Sequence, residues 1–138
     1  GASSEASHWD VAGALNWTAA GAPDRFYAGD AVRFDDSASS FVVDIRETSV
    51  APGNLVFDHT VNDYVVSGGA LAGSGSLTKL GGGTLTLAQT VTNTFSGPLS
   101  LVGGTLSISS LNQIGGASST RATAKASASA RMRATCTR

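Results

Sequence analysis

The chain carries a single cysteine, Cys136, in 138 residues, so no internal disulfide can brace it and the redox compartment stays open. No apolar run approaches the roughly 18 residues that a membrane-crossing helix needs. Residues Gly1 to Ser7 lack the basic and apolar regions of a secretory signal, so one has been removed or none was there. Charged residues make up only 14% and aromatics 7%, and acids are missing altogether after Asp63. Up to residue 119, ten acids face only Arg25, Arg33, Arg46 and Lys79. Beyond it stand Arg121, Lys125, Arg131, Arg133 and Arg138 without an acid. A basic end attracts anionic partners, but this one has neither aromatics for base stacking nor a nucleic-acid-binding motif, so no specific nucleic acid is expected. Asn-Gly and Asp-Gly pairs, which build tight hairpins, are also absent.

What the chain has is repetition. Val32-Arg33-Phe34-Asp35-Asp36 and Phe41-Val42-Val43 are answered 23 residues later by Leu55-Val56-Phe57-Asp58-His59 and Tyr64-Val65-Val66. Gly82-Gly83-Thr84-Leu85-Thr86-Leu87 returns as Gly103-Gly104-Thr105-Leu106-Ser107-Ile108, and Gly53, Gly75 and Gly97 lie 22 apart. A period in the low twenties, with short β-like runs and glycine at the corners, is the signature of a solenoid. Period-2 alternation turns Leu85 and Leu87 inward and Thr84 and Thr86 outward. One repeat per coil stacks Val32–Leu55–Leu77–Leu99 in one inner column, Phe34–Phe57 beside it, and Phe41–Tyr64 as a second aromatic step. The expected fold is therefore all-β: a short parallel β-solenoid of about four coils, about 20 Å tall at a strand spacing of 4.8 Å. A sandwich or antiparallel barrel also uses short strands, but neither predicts side-chain identity at one fixed offset.

Residues 1–29, with Trp9 and Trp17 and no helical periodicity, are expected to form an N-terminal cap. Residues 30–118 are expected to hold the coils. Residues 119–138 read as a disordered basic tail of the kind produced by translation out of frame or at a cloning junction. The coil around Leu99 to Ile108 then stays open. An open parallel edge is a template for pairing, so a homo-oligomer through the C-terminal coil is expected.

The run Gly73-Ser74-Gly75-Ser76-Leu77-Thr78-Lys79-Leu80-Gly81-Gly82-Gly83-Thr84-Leu85-Thr86-Leu87 resembles the autotransporter-associated β-strand repeat, also called the passenger-associated transport repeat. Thr92-Asn93-Thr94-Phe95-Ser96-Gly97 followed by Val102-Gly103-Gly104-Thr105-Leu106 is similar to its second half. Trp9-Asp10, Asn16-Trp17, Gly29-Asp30-Ala31-Val32 and Phe34-Asp35-Asp36 resemble the leader that precedes such repeats. The likeness spans about residues 8–116. It implies a right-handed β-helix serving as a structural or passenger segment of a secreted or surface-displayed bacterial protein. The same resemblance brings no catalytic motif, and the family's membrane-inserting barrel has no counterpart in the sequence.

The chemistry the residues offer is acidic. Stacking sets Asp35 over Asp58 and Asp36 over His59, with Asp44 and Asp63 near later corners. Like charges opposite one another across a ladder repel. A calcium ion held by Asp35 and Asp58 would compensate them, and so would plain solvation at an exposed corner. His59, with Asp63 and Asp36 close by, could serve as a general base, and a bound metal could activate water. That is the alternative reading: a calcium-assisted hydrolase of small esters, lactones or glycans. A third reading is an adhesin that binds cell-surface glycans along its outward Thr and Ser rows. No nucleophile elbow, zinc motif or phosphate loop occurs, and Gly81-Gly82-Gly83 leads into a strand rather than the helix that phosphate binding requires.

Overall fold

The computed structural model describes residues 7–13 and 15–114. The expected basic tail, with Cys136, lies outside the described residues. Eleven short strands follow one another: β1 (His8–Trp9), β2 (Trp17–Ala19), β3 (Ala22–Asp24), β4 (Val32–Asp35), β5 (Val42–Val50), β6 (Asn54–Asp58), β7 (Tyr64–Leu71), β8 (Ser76–Leu80), β9 (Thr84–Leu87), β10 (Leu99–Leu101) and β11 (Thr105–Ile108). A 3₁₀ turn, Leu111–Ile114, comes last.

Two parallel sheets face each other. One has the order β1-β5-β7-β9-β11 and the other β10-β8-β6-β4. Each pair of successive strands is one coil: β4 with β5, β6 with β7, β8 with β9, and β10 with β11. The fold is a parallel β-solenoid of about four turns, as the repeat predicts. Register follows the period: Val32 pairs with Leu55, Leu55 with Leu77, and Leu77 with Leu99. On the opposite sheet Val43, Val66, Leu87 and Ile108 stack in the same way. All eight side chains are buried. Phe34 lies flat on Phe57, with centroids 4.7 Å apart and planes 13° from parallel. Phe41 meets Tyr64 edge-on at 5.3 Å.

The glycine column is a consequence of close stacking. A Cβ on Gly53 would lie 2.4 Å from the carbonyl oxygen of Gly29, one on Gly75 1.9 Å from that of Gly53, and one on Gly97 2.0 Å from that of Gly75. No side chain fits where one coil's corner rests on the backbone of the coil before it.

Two features of the first thirty residues go beyond the sequence reading. β1 joins the five-stranded sheet, pairing His8 with Asp44 and Trp9 with Ile45, so the ladder begins inside the stretch read as a cap. β2 and β3 form an antiparallel hairpin. Its two-residue turn is Ala20 and Gly21, with φ of 51° and 81°. Both are left-handed, as a type I′ turn demands, with alanine standing where asparagine usually does. The hairpin presses Trp17 onto Trp9, Phe26 and Phe34 at centroid distances of 5.5, 5.9 and 5.4 Å. This aromatic plug closes the first coil's interior.

Candidate functional site

Asp35, Asp36, Asp58 and Asp63 gather at the corner after the four-stranded sheet, where the structure brings Asp35 and Asp58 into register. Asp44, expected near a corner, lies inside β5 and pairs with Arg46 at 3.0 Å. The repulsion between Asp35 and Asp58 is relieved by a side chain from the same sheet face. Arg33 lies 2.7 Å from Asp58 through its Nη2 and 3.6 Å from Asp35 through its Nε. The pairs are solvent-exposed, so each contributes below about 1 kcal/mol. Asp35 also accepts hydrogen bonds from the Ser37 hydroxyl and backbone N–H, and these bonds lower its pKa.

Asp36 faces the next coil. Its carboxylate accepts the backbone N–H groups of Thr60, Val61 and Asn62 at 2.8, 3.2 and 3.0 Å. Those bonds hold its pKa down at about 2. Asp63 repeats the device one coil on, accepting the Thr84 N–H at 2.8 Å. Each carboxylate thus ties its own corner to the one above.

His59 is 1% exposed. Its Nδ1 meets the carbonyl oxygen of Asn62, so Nδ1 carries the proton and donates it. Nε2 is buried with no hydrogen-bond partner. The ring packs against Tyr64 at 4.8 Å and Phe57 at 6.4 Å. Burial pushes its pKa down, and the neighbouring Lys79 charge adds to that shift. Tyr64, buried with its hydroxyl donating to the Asp35 carbonyl at 2.6 Å, is raised to about 12 by the same desolvation. His59, Asp36 and Asp63 therefore share one corner, but the carboxylates are committed to backbone N–H groups and the imidazole is sealed beneath them.

Lys79 is the group the sequence reading missed. It lies in the column Phe57–Lys79–Leu101, fully buried, and donates to the carbonyls of Leu80 and Gly81. Desolvation lowers its pKa, partly offset by the charges of Asp58, Asp63 and Asp36.

A second missed cluster braces the third side of the coils. Asn93 accepts the buried Leu71 N–H at 2.8 Å and donates to the Gln113 carbonyl at 2.6 Å. Gln89 donates to the Gly69 carbonyl, and Gln113 to the Gln89 carbonyl, at 3.2 and 2.8 Å. Gln113 also accepts the Ser109 N–H at 2.8 Å. These three amides run along the solenoid axis and satisfy backbone groups that turn inward at the corners. Their spacing carried the signal, since Asn93 follows Leu71 by 22 residues and Gln113 follows Gln89 by 24.

Among the described residues no group of three or more His, Cys, Asp or Glu side chains is placed to hold a metal ion. The chain matches no protein-family model, no curated protein and no solved structure.

Proposed function

We propose that this chain is a structural segment of a secreted or surface-displayed bacterial protein of the autotransporter type: a rigid stack whose work is mechanical and spatial. The observation that carries the reading is where its polar groups go. Arg33 bridges Asp35 and Asp58, Asp36 and Asp63 hold the next coil's backbone, and Gln89, Asn93 and Gln113 bond between coils. These side chains hold one coil to another, and His59 and Lys79 are buried within the stack. The repeat runs quoted above support the surface-protein assignment.

The test is calorimetric titration with calcium, with thermal melts run with and without chelator. A structural stack shows no heat of binding and an unchanged melt. Asp58→Ala then lowers stability by less than about 1 kcal/mol, and no ester or lactone is turned over. Tight binding abolished by Asp58→Ala, or calcium-dependent turnover lost in His59→Ala, would replace this reading with the metal-assisted hydrolase.

A further inference from the structure

Two buried basic side chains press on one glycine turn. Gly81-Gly82-Gly83 joins β8 to β9 in the third coil. From the second coil the His59 ring packs onto it, and a Cβ on Gly83 would lie 2.5 Å from Nδ1. From inside the third coil the Lys79 ammonium hangs from it, donating to the carbonyls of Leu80 and Gly81 at 2.5 and 3.0 Å. The fourth coil closes over that ammonium with Gly104, where a Cβ would lie 2.9 Å from Nζ. His59 is 1% and Lys79 0% exposed.

The other charged and titratable groups around this turn are engaged elsewhere. Asp36 and Asp63 accept backbone N–H groups, and Asp58 accepts from Arg33. The Tyr64 hydroxyl donates to the Asp35 carbonyl and, with its pKa raised to about 12, stays neutral. Nε2 of His59 is left without a partner. A second proton on the ring therefore sets two positive charges against one buried turn, where repulsion is poorly screened.

How each group is held decides which of them gives way. The imidazole is wedged between Tyr64 and Phe57 and tied by Nδ1 to the Asn62 carbonyl. Lys79 is held at its tip, on a flexible unbranched stem, by carbonyls at the turn itself. Gly81 has φ of 73°, a region glycine enters and leaves at no steric cost. Gly82 is exposed, and a Cβ there would meet nothing nearer than the Thr60 methyl at 3.9 Å. On the outer face, Asp58 and Asp63 already attract the ammonium.

We propose that the triglycine turn is an acid-operated gate: when His59 takes its second proton, the turn opens, Lys79 swings to the outer face, and entering water receives the Nε2–H. The interior then holds one positive charge on either side of the transition, on Lys79 at higher pH and on His59 at lower. Burial and the Lys79 charge both lower the His59 pKa, so the gate opens below the ordinary imidazole value of about 6.5. The strands β8 and β9 keep their parallel partners throughout.

The test follows the full isotope-labelled chain by nuclear magnetic resonance from pH 7.5 to 5. The His59 Cε1–H shift reads the trigger. Proximity of the Lys79 side-chain end to the Gly104 α-protons reads the gate. Exchange of the Gly83 and Thr105 amides reads it too, since these donate to the His59 and Gly83 carbonyls at 3.0 and 3.2 Å. As His59 titrates, the Lys79–Gly104 contact is expected to vanish. Both amides are expected to lose at least about tenfold in protection, corrected for intrinsic exchange, while the Leu71 amide keeps its own. His59→Phe is expected to hold the gate shut across the range. Lys79→Met is expected to raise the His59 midpoint, because the repelling charge is gone, and to leave both amides protected.

A Lys79–Gly104 contact that survives the His59 titration would overturn the proposal. So would a Leu71 amide that loses protection together with Gly83, since the whole stack would then be unfolding. An opening that persists in His59→Phe, or a folded Lys79→Met chain whose His59 midpoint does not move, would overturn it as well. The first two outcomes need only the parent chain.

Discussion

His59 sets how the chain answers acid. In the unfolded chain its imidazole titrates near the ordinary value of about 6.5. In the fold, burial lowers that value, and a second proton would sit on an Nε2 with nothing to receive it. The unfolded state therefore binds more protons. The ring's contribution is complete above pH ~6.5 and is lost as pH falls through that value toward the folded pKa. Urea midpoints are expected to drop between pH 7.5 and 5, and His59→Phe, which removes the titrating group, should flatten that slope. Asp36 acts in a separate window. With its pKa held at about 2 against a usual 3.8, its contribution is present above about pH 4 and lost as pH falls from there toward 2. Asp36→Asn is expected to shrink the acid limb below pH 4 and leave the His59 limb untouched. A change in the loss near pH 6 in the Asn variant, relative to the parent chain, would contradict this separation.

The residue scale is also where the sequence was least legible. Asp35 over Asp58 follows from the 23-residue offset alone, and the need to relieve their repulsion follows with it. The choice of Arg33 as the relieving group does not, because a guanidinium reaches across by rotamers that the backbone period leaves free. Lys79 is harder still. Its place below Phe57 could be counted from the offset of 22, yet a lysine between Thr78 and Leu80 reads as surface until its ammonium is seen to cap two corner carbonyls.

At the scale of strands and corners the glycines and the amides make opposite demands, one for absent side chains and the other for particular ones. Gly75→Ala and Gly97→Ala place a Cβ about 2 Å from the carbonyl oxygen of the preceding corner. Each is expected to cost about 3 kcal/mol by chemical denaturation, because the stacked backbones cannot separate without breaking the ladder. Gly82→Ala is the control. Its nearest neighbour would be the Thr60 methyl at 3.9 Å, and a change within about 0.5 kcal/mol is expected. Asn93→Ala strands the buried Leu71 N–H and the Gln113 carbonyl, so a loss of about 3 kcal/mol is expected from the same denaturation curves. The glycine column was legible because spacing alone marks it. The hairpin from Trp17 to Asp24 was not, since its turn uses Ala20 in a left-handed conformation that no residue type announces.

For the whole molecule the repeat decided the architecture: number of coils, parallel pairing and inner columns all follow from a period of 21 to 23 residues. What the offset could not place was the non-repeating start, where β1 enters the sheet ahead of the first full coil. Core substitutions are felt along the stack, because each inner side chain touches the coil on either side. Leu85→Ala, fully buried between Tyr64 and Leu106, is expected to cost about 2–5 kcal/mol. Far-ultraviolet circular dichroism, which reports every coil, is the measure suited to it. Tryptophan emission comes from Trp9 and Trp17 alone and reports the plugged end.

Stacking also turns the uneven order of charges into a direction in space. Every acid among the described residues lies at or before Asp63, in the plug and the first two coils, while Lys79 is the lone described charge beyond them. The stack is therefore an electric dipole with its negative pole at the plugged end and its weakly positive pole at the last coils. Near an anionic surface such a rod turns its fourth coil inward. The plugged end then points away into the medium.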